Sequence, residues 1–265
     1  MKIETIKSLD EIYKDPALYS NSNSTFSPPS EKLGHVIRFE LTTGCSWNGC
    51  TFCGGYKGMP YKVKSFGEYK EHVDKVWEKI GKRSNLANTL ERIFIGGGDA
   101  LSVDTELLKK AIRYTENSFT RNVGTFFEHR YPKRLAVYER TKSILEKGKK
   151  GFKQVKKERM FGEYNGLNLI YWGIESGSNE VLDYVNKGCS GDDVLLAGKI
   201  LNSVYPRIKT SVMIMPGLGG LKFYDKHVKK TAEVLGEIEP EFLTFMGINP
   251  SSNSLYSKKN ETRRT

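Results

Sequence analysis

Six short apolar runs, most of them followed by a stretch of helical period, constrain this 265-residue chain more than any other feature. The first, Val36 to Leu41, reads as a strand running straight into a glycine-rich loop. A helix is predicted at about 66–80: Ser65 and Glu68 form a capping box, and Phe66, Tyr69, Val73, Val76 and Ile80 recur at three and four. The rhythm then repeats. Strand Arg92–Gly96 precedes a helix over about 104–114, and strand Val123–Phe127 precedes a lysine-rich segment. Strand Leu167–Ile174 precedes a helix with Val181, Leu182 and Val185, then another over about 191–202. Strand Ile208–Met215 leads through a helix with Val228, Thr231, Leu235 and Ile238 to strand Glu241–Gly247. Strands alternating with helices make a parallel sheet with right-handed crossovers. Near-continuous apolar strands such as Leu-Ile-Tyr-Trp-Gly-Ile suit burial on both faces. The fold predicted is an α/β one, a partial (β/α)6 TIM-type barrel, whose chemistry would sit at the C-terminal ends of the strands.

The loop after the first strand, Gly-Cys-Ser-Trp-Asn-Gly-Cys-Thr-Phe-Cys-Gly-Gly, holds three of the four cysteines: Cys45, Cys50 and Cys53. Three thiolates on one short loop can converge on a soft metal centre. Taken alone, the loop admits three readings. A [4Fe–4S] cluster normally has four thiolate ligands, so three would leave one iron open to a non-protein ligand. A structural zinc knuckle needs a fourth ligand, and the remaining cysteine, Cys189, lies far along the chain. A Cys-x-x-Cys redox pair is the third reading.

The chain carries no apolar run near the roughly 18–20 residues a membrane span needs. Its first residues, Met-Lys-Ile-Glu-Thr-Ile-Lys, lack the apolar core of a secretory signal. Four cysteines, three of them clustered, are no disulfide framework, so a reducing cytoplasm is the expected location. The net charge is +11, and it is local. Residues 132–160 hold eleven Lys or Arg against three Glu, and the last ten residues carry the rest of the excess. That basic run reads as a solvated, partly helical insertion, or as a surface for RNA phosphates. Aromatics for base stacking are sparse there, so nucleic acid is the less favoured reading. Three regions follow: 1–34, an N-terminal helix and polar linker; 35–248, the barrel with its insertion at 132–160; and 249–265, a polar basic tail. The tail shows no apolar period, so the barrel is expected to lack its closing C-terminal helix.

The ordered strings GCSWNGCTFC, GGGDAL, YWGIESGSNEVLDYVNKG and SVMIMPGLGG resemble the radical S-adenosylmethionine (radical SAM) superfamily, over roughly residues 36–248. They are most similar to its small iron–sulfur oxidoreductase-like members. The fourth-strand text also resembles methylthiotransferases and oxygen-independent coproporphyrinogen oxidases. The resemblance implies that Cys45, Cys50 and Cys53 ligate a [4Fe–4S] cluster whose open iron binds S-adenosyl-L-methionine (SAM). It implies that Phe52 lies near the adenine and that Gly97-Gly98-Asp99 holds the methionyl amino group. It places Glu175 and Ser176 at the ribose or carboxylate, and Ile214 to Gly217 beside the adenine. It further implies a low-potential electron donor of flavodoxin or ferredoxin type; the substrate is not legible. Two departures stand out: four residues separate Cys45 from Cys50, and Asp99 replaces the family's Glu. A non-catalytic iron–sulfur or SAM-binding subunit completed by a partner, and an RNA-modifying radical SAM enzyme, are the alternatives. Among the remaining residues, His129, with Glu128 and Arg130, is a candidate for substrate contact, Cys189 reads as a plain thiol, and His35, His72 and His227 as surface residues.

Overall fold

The structure is a computed structural model that describes residues 8–20, 35–125, 130–156, 158–160, 163–204, 208–248 and 256–257. The elements run in chain order as α1 (Leu9–Tyr13), β1 (Val36–Glu40), β2 (Thr42–Thr43), β3 (Lys62–Val63), α2 (Phe66–Ile80), α3 (Asn85–Asn88) and β4 (Arg92–Gly96). There follow α4 (Thr105–Asn122), β5 (Arg134–Glu139), α5 (Thr141–Val155), β6 (Glu158–Met160), β7 (Glu163–Asn165) and β8 (Leu169–Glu175). The last are α6 (Asn179–Tyr184), α7 (Gly191–Asn202), β9 (Lys209–Ile214), α8 (Tyr224–Ile238) and β10 (Phe242–Phe245). Six strands form one sheet in the order β1-β4-β5-β8-β9-β10, every neighbouring pair parallel. This is the partial barrel that the strand–helix rhythm predicts.

Strand alternation sorts the core into two layers. Val36, Phe94, Ala136, Tyr138, Leu169, Tyr171 and Met213 pack together inside the sheet's curve. The residues between them, among them Ile37, Ile93, Val137, Ile170, Trp172, Val212 and Ile214, pack outward with the helices. Capping fixes where helices begin. Ser65 accepts the Glu68 N–H while Glu68 accepts the Ser65 N–H, so α2 starts where the capping box predicts. Ser190 and Asp193 do the same for α7.

Two expectations need correction. The third strand of the sheet is β5, Arg134–Glu139, and not a strand at Val123–Phe127, of which 126–127 lie outside the described residues. Residues 132–160 therefore contain a central strand and helix α5, and are no insertion between strands. The Lys and Arg that flank a short apolar stretch, Leu135 to Tyr138, disguise it as a solvated segment. Secondly, His72 and His227 are buried. The expected absence of a closing helix falls on 249–255 and 258–265, outside the described residues.

Candidate active site

A cavity of about 350 Å³ opens at the C-terminal ends of the strands. It is bordered by Cys45, Cys50 and Cys53, by Phe52 and Tyr56 of the same loop, and by Gly98 after β4. Glu139 and Arg140 close β5, while Gly173, Glu175 and Lys187 come from β8 and beyond; Met213, Met215 and Met246 form the far wall. All three cysteines are free and half-buried.

The cysteine loop is tied down on two sides. Its first half meets β4 and β5. Gly98 N–H donates to the Gly44 carbonyl at 2.9 Å, and a Cβ on Gly98 would stand only 2.7 Å from that oxygen. Gly97, at φ +114°, has no room for a side chain either, because a Cβ would run into the Thr42 hydroxyl. Its second half meets the turn after α6: Thr51 N–H donates to Val185 O at 2.9 Å, Asn186 Nδ2 to Gly49 O at 3.0 Å, and Trp47 Nε1 to Asn186 O at 2.8 Å.

Glu175 ends β8 at a register shift, with a positive φ of 65° that few side chains adopt without compensation. The carboxylate folds back over Gly173, where a Cβ would lie 2.5 Å from Glu175 Oε1. Lys187 Nζ donates to that oxygen at 3.0 Å, and both side chains are buried. Burial alone would lower the Lys187 pKa; the Glu175 carboxylate, with Cys50 and Cys189, offsets this and holds the ammonium above its ordinary range. Burial pushes the Cys50 thiol up, and Lys187 pulls it back. One cation is thus shared between a carboxylate and the thiol rim.

Of the residues that the resemblance assigns to SAM, Phe52, Gly98 and Glu175 border the cavity. Gly97, Asp99, Ser176, Ile214 and Gly217 do not. Asp99 is fully buried, its Oδ2 accepting from Ser46 and Ser143. Ile214 faces the helices, and its neighbours Met213 and Met215 take the cavity side, as strand parity requires. Ser176 donates to His227 Nδ1 at 2.8 Å, while His227 Nε2–H donates to Met215 O at 3.1 Å. That neutral imidazole ties the ends of β8 and β9 together, which is why His227 is buried. His129 and Glu128 lie outside the described residues, and Arg130 donates to Asn88 O at 2.9 Å. Cys189 is half-buried, and burial raises its thiol pKa. Met215, within the stretch placed beside the adenine, does border the cavity; Lys187, Arg140, Glu139, Met213 and Met246 were not legible as site residues.

Among the described residues, no group of three or more His, Cys, Asp or Glu side chains clusters tightly enough to hold a single metal ion. In an iron–sulfur cube each thiolate binds a different iron, so the donors stand farther apart than ligands of one ion. Three soft thiols opening onto one cavity fit that donor set. The Tyr56 hydroxyl, on the same cavity, is buried with no hydrogen-bond partner among the described residues, which also fits a bound polar molecule.

The sequence matches the radical SAM superfamily over residues 39–235. The match covers most of the chain, which therefore belongs to that superfamily. No curated protein matches the sequence. Among solved structures, the chain is similar to the cobalamin-dependent S-adenosylmethionine radical enzyme OxsB, with aqua-cobalamin and S-adenosylmethionine bound: TM-score 0.56, 14% identity, 86% of this chain and 35% of that one. It is similar to coproporphyrinogen III oxidase (HemN) from Escherichia coli, a radical SAM enzyme, at TM-score 0.54 and 12% identity, over 84% of this chain and 46% of that one. With methylornithine synthase (PylB) the values are 0.52 and 12%, over 95% and 68%. The chain thus spans about a third of OxsB and under half of HemN, and at these identities the likeness establishes the fold. No helix among the described residues is long and apolar enough to cross a membrane.

Proposed function

We propose that this protein is a radical SAM enzyme in which Cys45, Cys50 and Cys53 hold a [4Fe–4S] cluster and the adjoining cavity receives SAM and a small substrate. The observation that carries the reading is the opening of all three thiols, with Phe52, Gly98 and Glu175, onto one cavity at the strands' C-terminal ends. When bound, the cluster supplies the electron that splits SAM into methionine and a 5′-deoxyadenosyl radical. The chain's own part is to bind, orient and shield. Phe52 offers an aromatic face to adenine, and Gly98 lets a ligand approach the backbone. Glu175, held in place by Lys187, offers a carboxylate to ribose hydroxyls, and Lys187 offers its ammonium to a carboxylate. Met213, Met215 and Met246 line the far wall with apolar, polarisable side chains that keep water out.

The same reading calls for a low-potential electron donor of flavodoxin or ferredoxin type, and for a reducing cytoplasm. Contact with nucleic acid through 132–160 is not favoured. Lys133, Arg140, Lys142 and Lys147 are engaged within the fold by Glu91, Ser46, Asp193 and Val103. A second reading, a non-catalytic subunit completed by a partner chain, has one observation in its favour: Phe242, Leu243 and Phe245 of β10 are exposed.

Anaerobic reconstitution with iron and sulfide tests the proposal. The wild-type chain is expected to take up about four iron and four sulfide and to retain SAM on equilibrium dialysis, and Cys50→Ala to lose both. A colourless protein that binds only zinc would overturn it.

A further inference from the structure

Asp99 stands where the resemblance puts a SAM contact, yet its side chain turns away from the cavity. It meets a network drawn from three elements. Its Oδ2 accepts from Ser46, the residue next to Cys45, and from Ser143 of α5 at 2.6 Å. Arg140, at the end of β5, donates from Nη1 to Ser46 Oγ at 2.7 Å and stands 3.6 Å from Asp99 Oδ2. The same guanidinium lies 5.6 Å from the centre of the Trp47 ring, so it grips two consecutive loop residues. The remaining oxygens, Asp99 Oδ1 and Glu139 Oε2, are both buried with no N–H or hydroxyl group against them. Burial, then the Asp99 charge, push the Glu139 carboxyl well above the usual carboxylate range. Its other oxygen is fixed by the Leu101 N–H at 2.7 Å.

We propose that Asp99 is a positioning residue, whose carboxylate, braced by Ser143 and Arg140, fastens Ser46 and thereby sets where Cys45 stands at the cavity. A Glu at 99 would carry its carboxylate one methylene further within a fully buried site. The two halves of the loop are held by different partners, Ser46 by this network and Gly49 and Thr51 by the turn after α6, with Trp47 touching both. The consequence for cluster binding rests on the proposed role of Cys45 as a ligand, but the positioning itself concerns the metal-free chain.

The test uses the metal-free, full-length protein, alkylated with iodoacetamide and followed cysteine by cysteine by mass spectrometry. Ser46 is exposed, so Ser46→Ala leaves the buried carboxyl pair in place and the thermal midpoint near wild type. In that variant, which loses the Ser46 bonds to both Asp99 and Arg140, the Cys45 rate is expected to rise by roughly tenfold or more relative to Cys50 and Cys53. Ser46→Thr restores the wild-type ratio. Adding Asp99→Ala to Ser46→Ala gives no further change in that ratio, because both act through one contact. A Cys45 ratio within twofold of wild type in Ser46→Ala would overturn the proposal. That result would leave the radical SAM reading untouched, since it is obtained without iron.

Discussion

The two edges of the six-stranded sheet are managed in opposite ways. At β1 the outward main-chain groups are taken by side chains. Tyr13 hydroxyl donates to Val36 O at 2.7 Å and accepts from Arg38 N–H at 3.2 Å, Tyr19 hydroxyl donates to Arg38 O at 2.6 Å, and Glu40 N–H donates to His72 Nε2 at 2.9 Å. Tyr13 of the short helix α1, Tyr19 beyond it and one histidine of α2 thus seal the edge without adding a strand. Among the described residues the sheet order ends at β10, where Phe242, Leu243 and Phe245 are 48%, 41% and 65% exposed. The difference teaches where stability is concentrated. The sealed edge adjoins β1, which leads into the cysteine loop, so an edge held by specific hydrogen bonds also fixes the first wall of the cavity.

Acid should break the sealed edge first. His72 accepts the Glu40 N–H and must be neutral to do so; burial, then Lys64, lower its pKa from the usual 6.5 to about 4. The unfolded chain therefore binds more protons between these values. Stability is complete above about pH 6.5 and drains as the pH falls towards 4, by about 3 kcal/mol in all. Urea titrations at the two ends of that range should show the loss in wild type and a much smaller one in His72→Gln. Next in size is Tyr13→Phe, which removes a partner from both Val36 O and Arg38 N–H. It should cost about 2 kcal/mol in urea unfolding, with Tyr19→Phe nearer 1 kcal/mol. Smallest of all is Phe245→Ser on the open edge, expected to change stability by less than about 0.5 kcal/mol. A loss above about 1.5 kcal/mol there would mean that β10 is covered in solution, and the contrast between the edges would fail.

How far this was legible varies with the physics of each residue. Helix α2 begins at its capping box, a local signal complete within four residues. Strand β5 was hidden because its apolar centre is short and its flanks are basic; only pairing with β4 and β8 makes it a strand. The resemblance places the stretch Ile214 to Gly217 at the adenine, but only Met215 of it borders the cavity, with Met213 before it, because parity becomes useful only once the inward face is known. His72 and His227 read as surface residues because a neutral imidazole needs partners that sequence does not display. Lys187 follows Glu175 by twelve residues, and what joins them is a fold-back permitted by Gly173. The cysteines, by contrast, carry their meaning in their spacing.

One measurement bears on the central claim most directly. The reconstituted protein, alone and anaerobic, is reduced with dithionite and given SAM, and 5′-deoxyadenosine is followed over time by chromatography. The account predicts that it accumulates in wild type and is absent from Cys50→Ala. A fully loaded, reduced cluster that leaves SAM intact would contradict it.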